Sequence, residues 1–537
     1  MSSTAVAVVL GGVLLLVWAA RSLTPYHDPR EPFLVPPKIP VFGHLIGVLA
    51  NGTGYYSQMA ERYTAKAKDK GGIFTLPVPN GKMYIVTSPS MIAACDRKAK
   101  VVSFSVFVVE FARRILAGSS HAVDLLNQDL KEEWEREGKE IGLRQETMRA
   151  MHKSLMGENL DVMMRSVMKS LLALLDEAIG EKEEVVEKPL FGFLQDFLTM
   201  AGTNFMFGEE NNPFQDKEVM KGFWLVDRCY TSLGLNVRPD LIAKEANRGR
   251  EKFFEAFRKF YANPKALEQA SYIIKARYQA NRKHGVSLED IARFDLGVCT
   301  ALLVNTVPAA GWALCRVYSD ENILKELRSG IEAVVFPDGI ASAKEKQGQV
   351  IKVNMWQVTD AFPLLESFMK EVLRVESNNA SARFVLEDTM IEDRESRRSY
   401  LLKKGSFLGM PSATVHGSEA AWGSTAKEFD PRRFLDRSKK ISPSAWRTFG
   451  GGNALCPGRH LALNELTSIL AMMVLRYDIE PVERGSGGGW KMPAKGAHIS
   501  TSILTPAKDI QVRIRSREEV TGLKWDLVWE VDETRKE

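Results

Sequence analysis

Between about residue 130 and residue 374, apolar residues recur mostly at helical spacing. The clearest stretches, 155–179, 217–235, 251–261 and 288–319, each predict a helix with at least one buried face. Strand-like runs are shorter and fewer, near 73–86, 499–504 and 510–514. The pattern therefore predicts a mainly α chain with minor β. No internal repeat or long low-complexity segment interrupts it, and the glycine cluster from Gly485 to Gly489 reads as a loop. One continuous body is expected over residues 46–537.

The N-terminus follows a different pattern. From Ala5 to Ala20 no charge occurs (AVAVVLGGVLLLVWAA), and the run reaches Leu23 if Arg21 and Ser22 sit at the bilayer boundary. A membrane-crossing helix needs about 20 such residues, so residues 1–23 are read as a single-pass anchor. A cleaved signal peptide would carry a basic n-region, which is absent here. Arg21 and Arg30 follow the run and no Lys or Arg precedes it, so the positive-inside rule leaves the body in the cytosol. Residues 24–45, with Pro25, Pro29, Pro32, Pro36, Pro37 and Pro40, read as a stiff extended connector.

Composition narrows the classes. With 45% hydrophobic and 26% charged residues the chain can bury a large core and is not disordered. Its 72 Lys plus Arg against 67 Asp plus Glu are too nearly balanced, and too scattered, to imply a nucleic-acid partner. The five cysteines, Cys95, Cys229, Cys299, Cys315 and Cys456, are odd in number and widely spaced, which suits neither a disulfide framework nor a zinc site. Four of them read as small buried hydrophobes. Cys456 has a context of its own.

That context is Trp446-Arg-Thr-Phe-Gly-Gly-Gly-Asn-Ala-Leu-Cys-Pro-Gly-Arg-His460, followed by an apolar helical pattern at Leu463, Leu466, Ile469, Leu470 and Met473. The three glycines permit positive φ and close approach of the backbone to a flat ligand. Pro457 is expected at the first helical position, which puts Cys456 at a helix N-terminus where the dipole and free N–H groups favour a thiolate.

This segment resembles the haem-binding loop of the cytochrome P450 family at Phe449, Gly452, Cys456 and Gly458. The resemblance implies the cytochrome P450 fold, heme b as cofactor, and iron ligation by the Cys456 thiolate, with Phe449 and Gly452 in the cofactor loop. It departs at Ala454, where most members carry an Arg or His that pairs with a haem propionate.

Two further segments carry the resemblance. Pro363–Arg374 reads as a helix in which Glu371 and Arg374 lie three apart, a spacing that by itself usually means a solvated salt bridge worth under about 1 kcal/mol. In the family, however, a Glu-x-x-Arg helix precedes the cysteine, and an arginine of a Pro-x-Arg-Phe turn completes a buried triad. Pro431-Arg432-Arg433-Phe434 offers that turn, so the resemblance implies a structural triad of Glu371, Arg374 and Arg433. It also implies Arg383 as a propionate partner, with Lys153 or His152 assisting.

The long helix around 296–314 should cross the distal face of the haem. Most P450s place an acid and a threonine there to pass protons to dioxygen, whereas this chain has Val307 and Pro308. Pro308 is expected to kink the helix by freeing the carbonyl of Val304, leaving Asn305 and Thr306 as the polar groups, either as catalytic residues or as repairs to the broken helix. The family's geometry implies substrate contacts from Ala301, Asn305, residues 379–381 and the 499–502 turn, under loops at 102–128.

The Asn-Thr-x-Pro segment resembles the branch holding sterol 7α- and 12α-hydroxylases and prostacyclin synthase, and Cys-Pro-Gly-Arg-His resembles fungal biosynthetic P450s. These resemblances imply a monooxygenase of the endoplasmic reticulum membrane, with its catalytic body in the cytosol. It would oxidise an apolar small molecule such as a terpenoid or steroid-like natural product. Dioxygen would be the oxidant, and electrons would come from NADPH through NADPH–cytochrome P450 reductase, with cytochrome b5 as a possible second donor. A reductase-independent isomerase or dehydratase and a non-catalytic, membrane-anchored binding protein are the alternatives.

Overall fold

The computed structural model describes residues 26–37, 42–64, 72–79, 81–179, 185–345, 348–436, 438, 441–483, 485, 489–496 and 502–531. The expected anchor at 1–23 lies outside them, as do 24–25 and 38–41 of the connector and 499–501 of the strand-like run near the C-terminus.

The described part of the connector is packed on the body. Thr75 N donates to Phe33 O (2.8 Å) and Val35 N to Thr75 O (2.9 Å), while the buried Glu31 accepts from Lys82 Nζ and Tyr84 OH, each at 2.6 Å. The alternation at 73–86 forms a hairpin of β1 (Ile73–Val78) and β2 (Gly81–Val86), with Ile73 opposite Val86. Next come α1 (Pro89–Arg97), capped by Ser88 Oγ accepting from Met91 N, and β3 (Val102–Ser103).

The helical region holds α2 (Leu143–Ser154), α3 (Gly157–Ala178), α4 (Leu190–Phe207), α5 (Lys217–Arg228), α6 (Lys244–Ala262), α7 (Leu288–Leu303), α8 (Thr306–Tyr318), α9 (Glu321–Val335) and α10 (Pro363–Glu376). Beyond it lie β4 (Ala380–Val385), β5 (Phe407–Pro411) and α11 (Arg459–Arg476). The chain is mainly α with minor β, as its periodicity predicts. The largest sheet has the order β1-β2-β5-β4-β3, with β5 parallel to β2 and antiparallel to β4. One hydrophobic cluster runs from Val109 to Trp529. The C-terminal chain joins it through Gln511–Ser516, paired with Tyr477–Pro481, and Lys524–Val528, paired with Val350–Asn354.

Three expected helices have different limits. The 217–235 stretch divides, because α5 stops at Arg228 and a separate turn, Tyr230–Leu235, ends at Asn236 in the left-handed region. Helix α6 starts earlier than the expected 251–261, because Ala246, Gly249 and Arg250 continue the buried face of Phe253, Phe254 and Phe257.

The 288–319 helix is broken, not merely kinked. Its first half ends at Leu303 and its second begins at Thr306, so Pro308 falls in a first turn, where a missing N–H costs no helical bond. Ala309 N donates to Asn305 O (3.2 Å) as the new helix starts. Taken together, Leu288–Tyr318 is long and apolar enough to cross a bilayer, but it is largely buried, and its apolarity is that of a core helix.

Candidate active site

Cys456 stands in a turn built by the glycines before it. Its N–H donates to Phe449 O (2.9 Å), closing the loop on itself. Gly450 (φ +76°) and Gly452 (φ +61°) take left-handed conformations. A Cβ at Gly450 would stand 2.8 Å from Ala454 O, and one at Gly452 would stand 2.8 Å from Asp96 Oδ1.

Helix α11 starts at Arg459 with Gly458 as its cap, so Pro457 lies outside the helix and Cys456 is farther from the N-terminus than expected. The Pro-Gly pair forms a turn instead. Burial pushes the Cys456 thiol up, and the Gly458 N–H and Arg459 only partly oppose it. In the protein alone, desolvation therefore outweighs the terminus effect that the sequence suggests. Coordination to a metal would itself remove the proton.

The structure brings Glu371, Arg374 and Arg433 together. Arg374 grips Glu371 with Nε to Oε2 and Nη2 to Oε1, both 2.7 Å, and Arg433 Nε donates to Oε1 at 3.0 Å. Glu371 and Arg374 are buried. Arg374 also donates to the carbonyls of His416 (2.6 Å), Ala426 (2.7 Å) and Glu428 (2.9 Å), so this one guanidinium fixes the chain leading to the Pro431 turn.

His416, which the sequence reading did not single out, joins this group to the cysteine loop. Nδ1 lies 2.8 Å from Arg374 O, which can only accept, and Nε2 lies 2.8 Å from Arg447 N, which can only donate. Those partners set a neutral ring protonated on Nδ1. Burial, with Arg374 and Arg447 nearby, lowers its pKa to about 3. An unfolded histidine binds protons from about pH 6.5 downward and the folded one does not, so stability conferred by the neutral ring is lost as pH falls below 6.5. Unfolding scans should show wild type losing up to about 1.4 kcal/mol per pH unit more than His416→Gln between pH 6 and 4. Parallel pH profiles for the two proteins would contradict this.

On the opposite side, Asn305 Oδ1 accepts from Ser502 N (2.8 Å) and Ile503 N (3.3 Å). Because both partners are donors, the amide nitrogen must point elsewhere. Thr306 Oγ1 donates to Leu302 O (2.8 Å), which ties it to the helix it follows. Pro308 is buried. Ala301 is exposed although most of α7 around it is buried, so this stretch of the helix turns a small residue toward open space.

A chain of bonds links the cysteine loop to this break. Ser377 Oγ donates to Thr448 Oγ1 (3.2 Å), Asn378 N to Ser502 O (2.7 Å), and Asn379 Nδ2 to Ser502 Oγ (3.3 Å). Arg383 is buried, donating to Ala382 O (2.8 Å) and Gly451 O (3.0 Å). Lys153 is exposed and His152 half-buried at the end of α2. Among the described residues no hydrogen bond or ion pair joins either of them to Arg383. Arg447 and Asp96, neither singled out in the sequence, form a partly buried ion pair at 2.6 Å beside Gly451, with Arg447 buried and Asp96 partly exposed.

These residues fit a haem. A half-buried cysteine sits in a turn whose glycines allow close approach, two buried arginines meet that turn, and an alanine opens the facing helix. The cytochrome P450 family model matches residues 34–487, and the chain belongs to that family. It is an oxidoreductase of the P450 monooxygenase kind, and the family implies a haem-thiolate cofactor. The chain is 30% identical to a cytochrome P450 monooxygenase, nodJ, of Hypoxylon pulicicidum, covering 93% of this chain and 92% of that one. It is 22% identical to cytochrome P450 7B1 of Mus musculus (85% and 86% covered) and 23% identical to cholesterol 7-alpha-monooxygenase of Cricetulus griseus (68% and 73%).

Proposed function

We propose that the protein inserts oxygen into an apolar, terpenoid or steroid-like small molecule in a fungal biosynthetic pathway, with Cys456 as the haem ligand. The observation that carries this reading is Cys456 in its glycine turn, whose loop is joined by bonds between Thr448 and Ser377, between Asn378 and Ser502, and between Ser502 and the break at Asn305. The similarity to fungal P450 monooxygenases and to sterol 7α-hydroxylases supports the substrate class. When bound, thiolate-ligated haem supplies the activation of dioxygen.

The chain's own residues then have separate tasks. Phe449 and the glycines hold Cys456 in place, while Glu371, Arg374 and Arg433 lock the loops that carry it. Arg383, buried against the Gly451 carbonyl, would hold a haem propionate. Ala301 leaves room for substrate beside the broken helix. Asn305 holds the 502–503 turn with Oδ1 and offers its Nδ2 hydrogens toward the reaction space. Electrons come from NADPH through NADPH–cytochrome P450 reductase, with cytochrome b5 as a second donor, and residues 1–23 anchor the protein in the endoplasmic reticulum membrane with its body in the cytosol.

The reduced protein with carbon monoxide should show the Soret band of thiolate-ligated haem, and Cys456→Ala should lose it. A wild-type protein without that band would end this reading. Val307 and Pro308 favour a second reading, a peroxide-rearranging or dehydrating P450 that needs no proton relay. Microsomes given apolar substrates under labelled dioxygen, with and without NADPH, separate the two. Labelled, NADPH-dependent product supports oxygenation. Unlabelled turnover without NADPH supports rearrangement.

A further inference from the structure

Arg383 and Arg447 bring two guanidinium groups to the same residue, Gly451. Arg383 Nη2 donates to its carbonyl (3.0 Å), and Arg447 Nη1 lies 2.0 Å from where a Cβ on Gly451 would stand. Both arginines are buried, 3% and 1% exposed. The one carboxylate in ion-pair range of either among the described residues is Asp96, 2.6 Å from Arg447 and 4.0 Å from Arg383. Two buried cations therefore share one anion. An uncompensated buried charge is expensive, and a fold that keeps one has an anion to receive.

Several details show which way the excess charge is held. Arg447 is fixed by Asp96 and by Met410 Sδ at 3.3 Å, while its Nε is buried without a partner. Arg383 lies over the Phe104 ring (5.6 Å) and has backbone carbonyls but no close carboxylate. Burial and the charge of Arg447 lower its pKa to about 10. Ala454 N donates to the same Gly451 carbonyl (3.3 Å), so position 454 adjoins this pair. The backbone of position 454 and the guanidinium of Arg447 thus both meet Gly451.

We propose that Arg447 supplies the positive charge for a haem carboxylate that this chain lacks at Ala454. Arg383 makes the direct contact, Arg447 acts beside it as a positioning residue, and Asp96 keeps Arg447 in place. The absence of a side chain at Gly451 is what lets Arg447 lie against the loop.

This rests on the haem-thiolate reading, and the experiment separates the two. Full-length wild type must first show the carbon monoxide Soret band, and its absence would count against that reading and not against Arg447. In holo-protein, Arg447→Gln is expected to release haem to apomyoglobin at least ~10-fold faster, the range of a lost charge-assisted bond. Its reduction potential should also move negative. Adding Ala454→Arg to Arg447→Gln should restore both readouts, which a purely structural role for Arg447 would not allow. Haem retention and potential unchanged in Arg447→Gln, or no rescue by Ala454→Arg, would overturn the proposal. Where Arg447→Gln yields no holo-protein, the double variant and Arg447→Lys decide: a Soret band in either supports a role for charge. No band in both would make Arg447 a structural tie to Asp96 and overturn the proposal.

Discussion

Glu371→Ala should abolish accumulation of holo-protein. The substitution strands Arg374 and Arg433 in a buried site where the same carboxylate serves both. It also removes the acceptor for Asp430 N (3.0 Å), which starts the turn that carries Arg433. Removing one partner of a buried pair costs about 3–5 kcal/mol, against a total stability of about 5–15 kcal/mol for a folded domain. Arg374→Lys should be nearly as damaging, because a point charge cannot replace a fork that also holds the carbonyls of His416, Ala426 and Glu428. Arg433→Lys should be milder, since Arg433 makes one bond to Glu371 and its other partners, Thr425 and the carbonyl of Glu428, are exposed. The carbon monoxide spectrum of microsomes checks the order. A full Soret band from Glu371→Ala would show that the triad does not hold the cysteine loop.

What the sequence made legible was whatever is local or ordered along the chain. The helix around Glu371, the cysteine turn and the strand character of 73–86 follow from spacing and glycine placement, though the pairing of two strands there does not. His416, Asp96 and Arg447 were not legible because their meaning lies in partners far away in sequence. Asp96 meets Arg447 across 351 positions, and no periodicity marks such a pair. Only the carbonyl of Arg374 and the N–H of Arg447 give His416 its role. The break at Asn305 was half legible. Proline signals a disturbance in a helix, but whether the chain bends or restarts depends on what can pay for the lost bonds, and here the 502–503 turn supplies donors to Asn305.

That tether makes Asn305 the position where two roles must be separated. Asn305→Leu should lower labelled-oxygen product about 10–100-fold while leaving the carbon monoxide band in place, since the residue touches neither the cysteine loop nor the triad. The loss alone would not distinguish a tether from a donor. Asn305→Asp does, because a carboxylate oxygen accepts from Ser502 N and Ile503 N as the amide oxygen does, but the two Nδ2 hydrogens are gone. If Asn305 acts only by holding the turn, Asn305→Asp should keep wild-type turnover. If it donates in the reaction space, Asn305→Asp should fall as far as Asn305→Leu, with NADPH consumption outrunning product. Thr306→Val gives the contrast: its hydroxyl is spent on Leu302 O, so product should change less than about 3-fold. A severe loss in Thr306→Val with normal coupling in Asn305→Asp would transfer the donor role from Asn305 to Thr306.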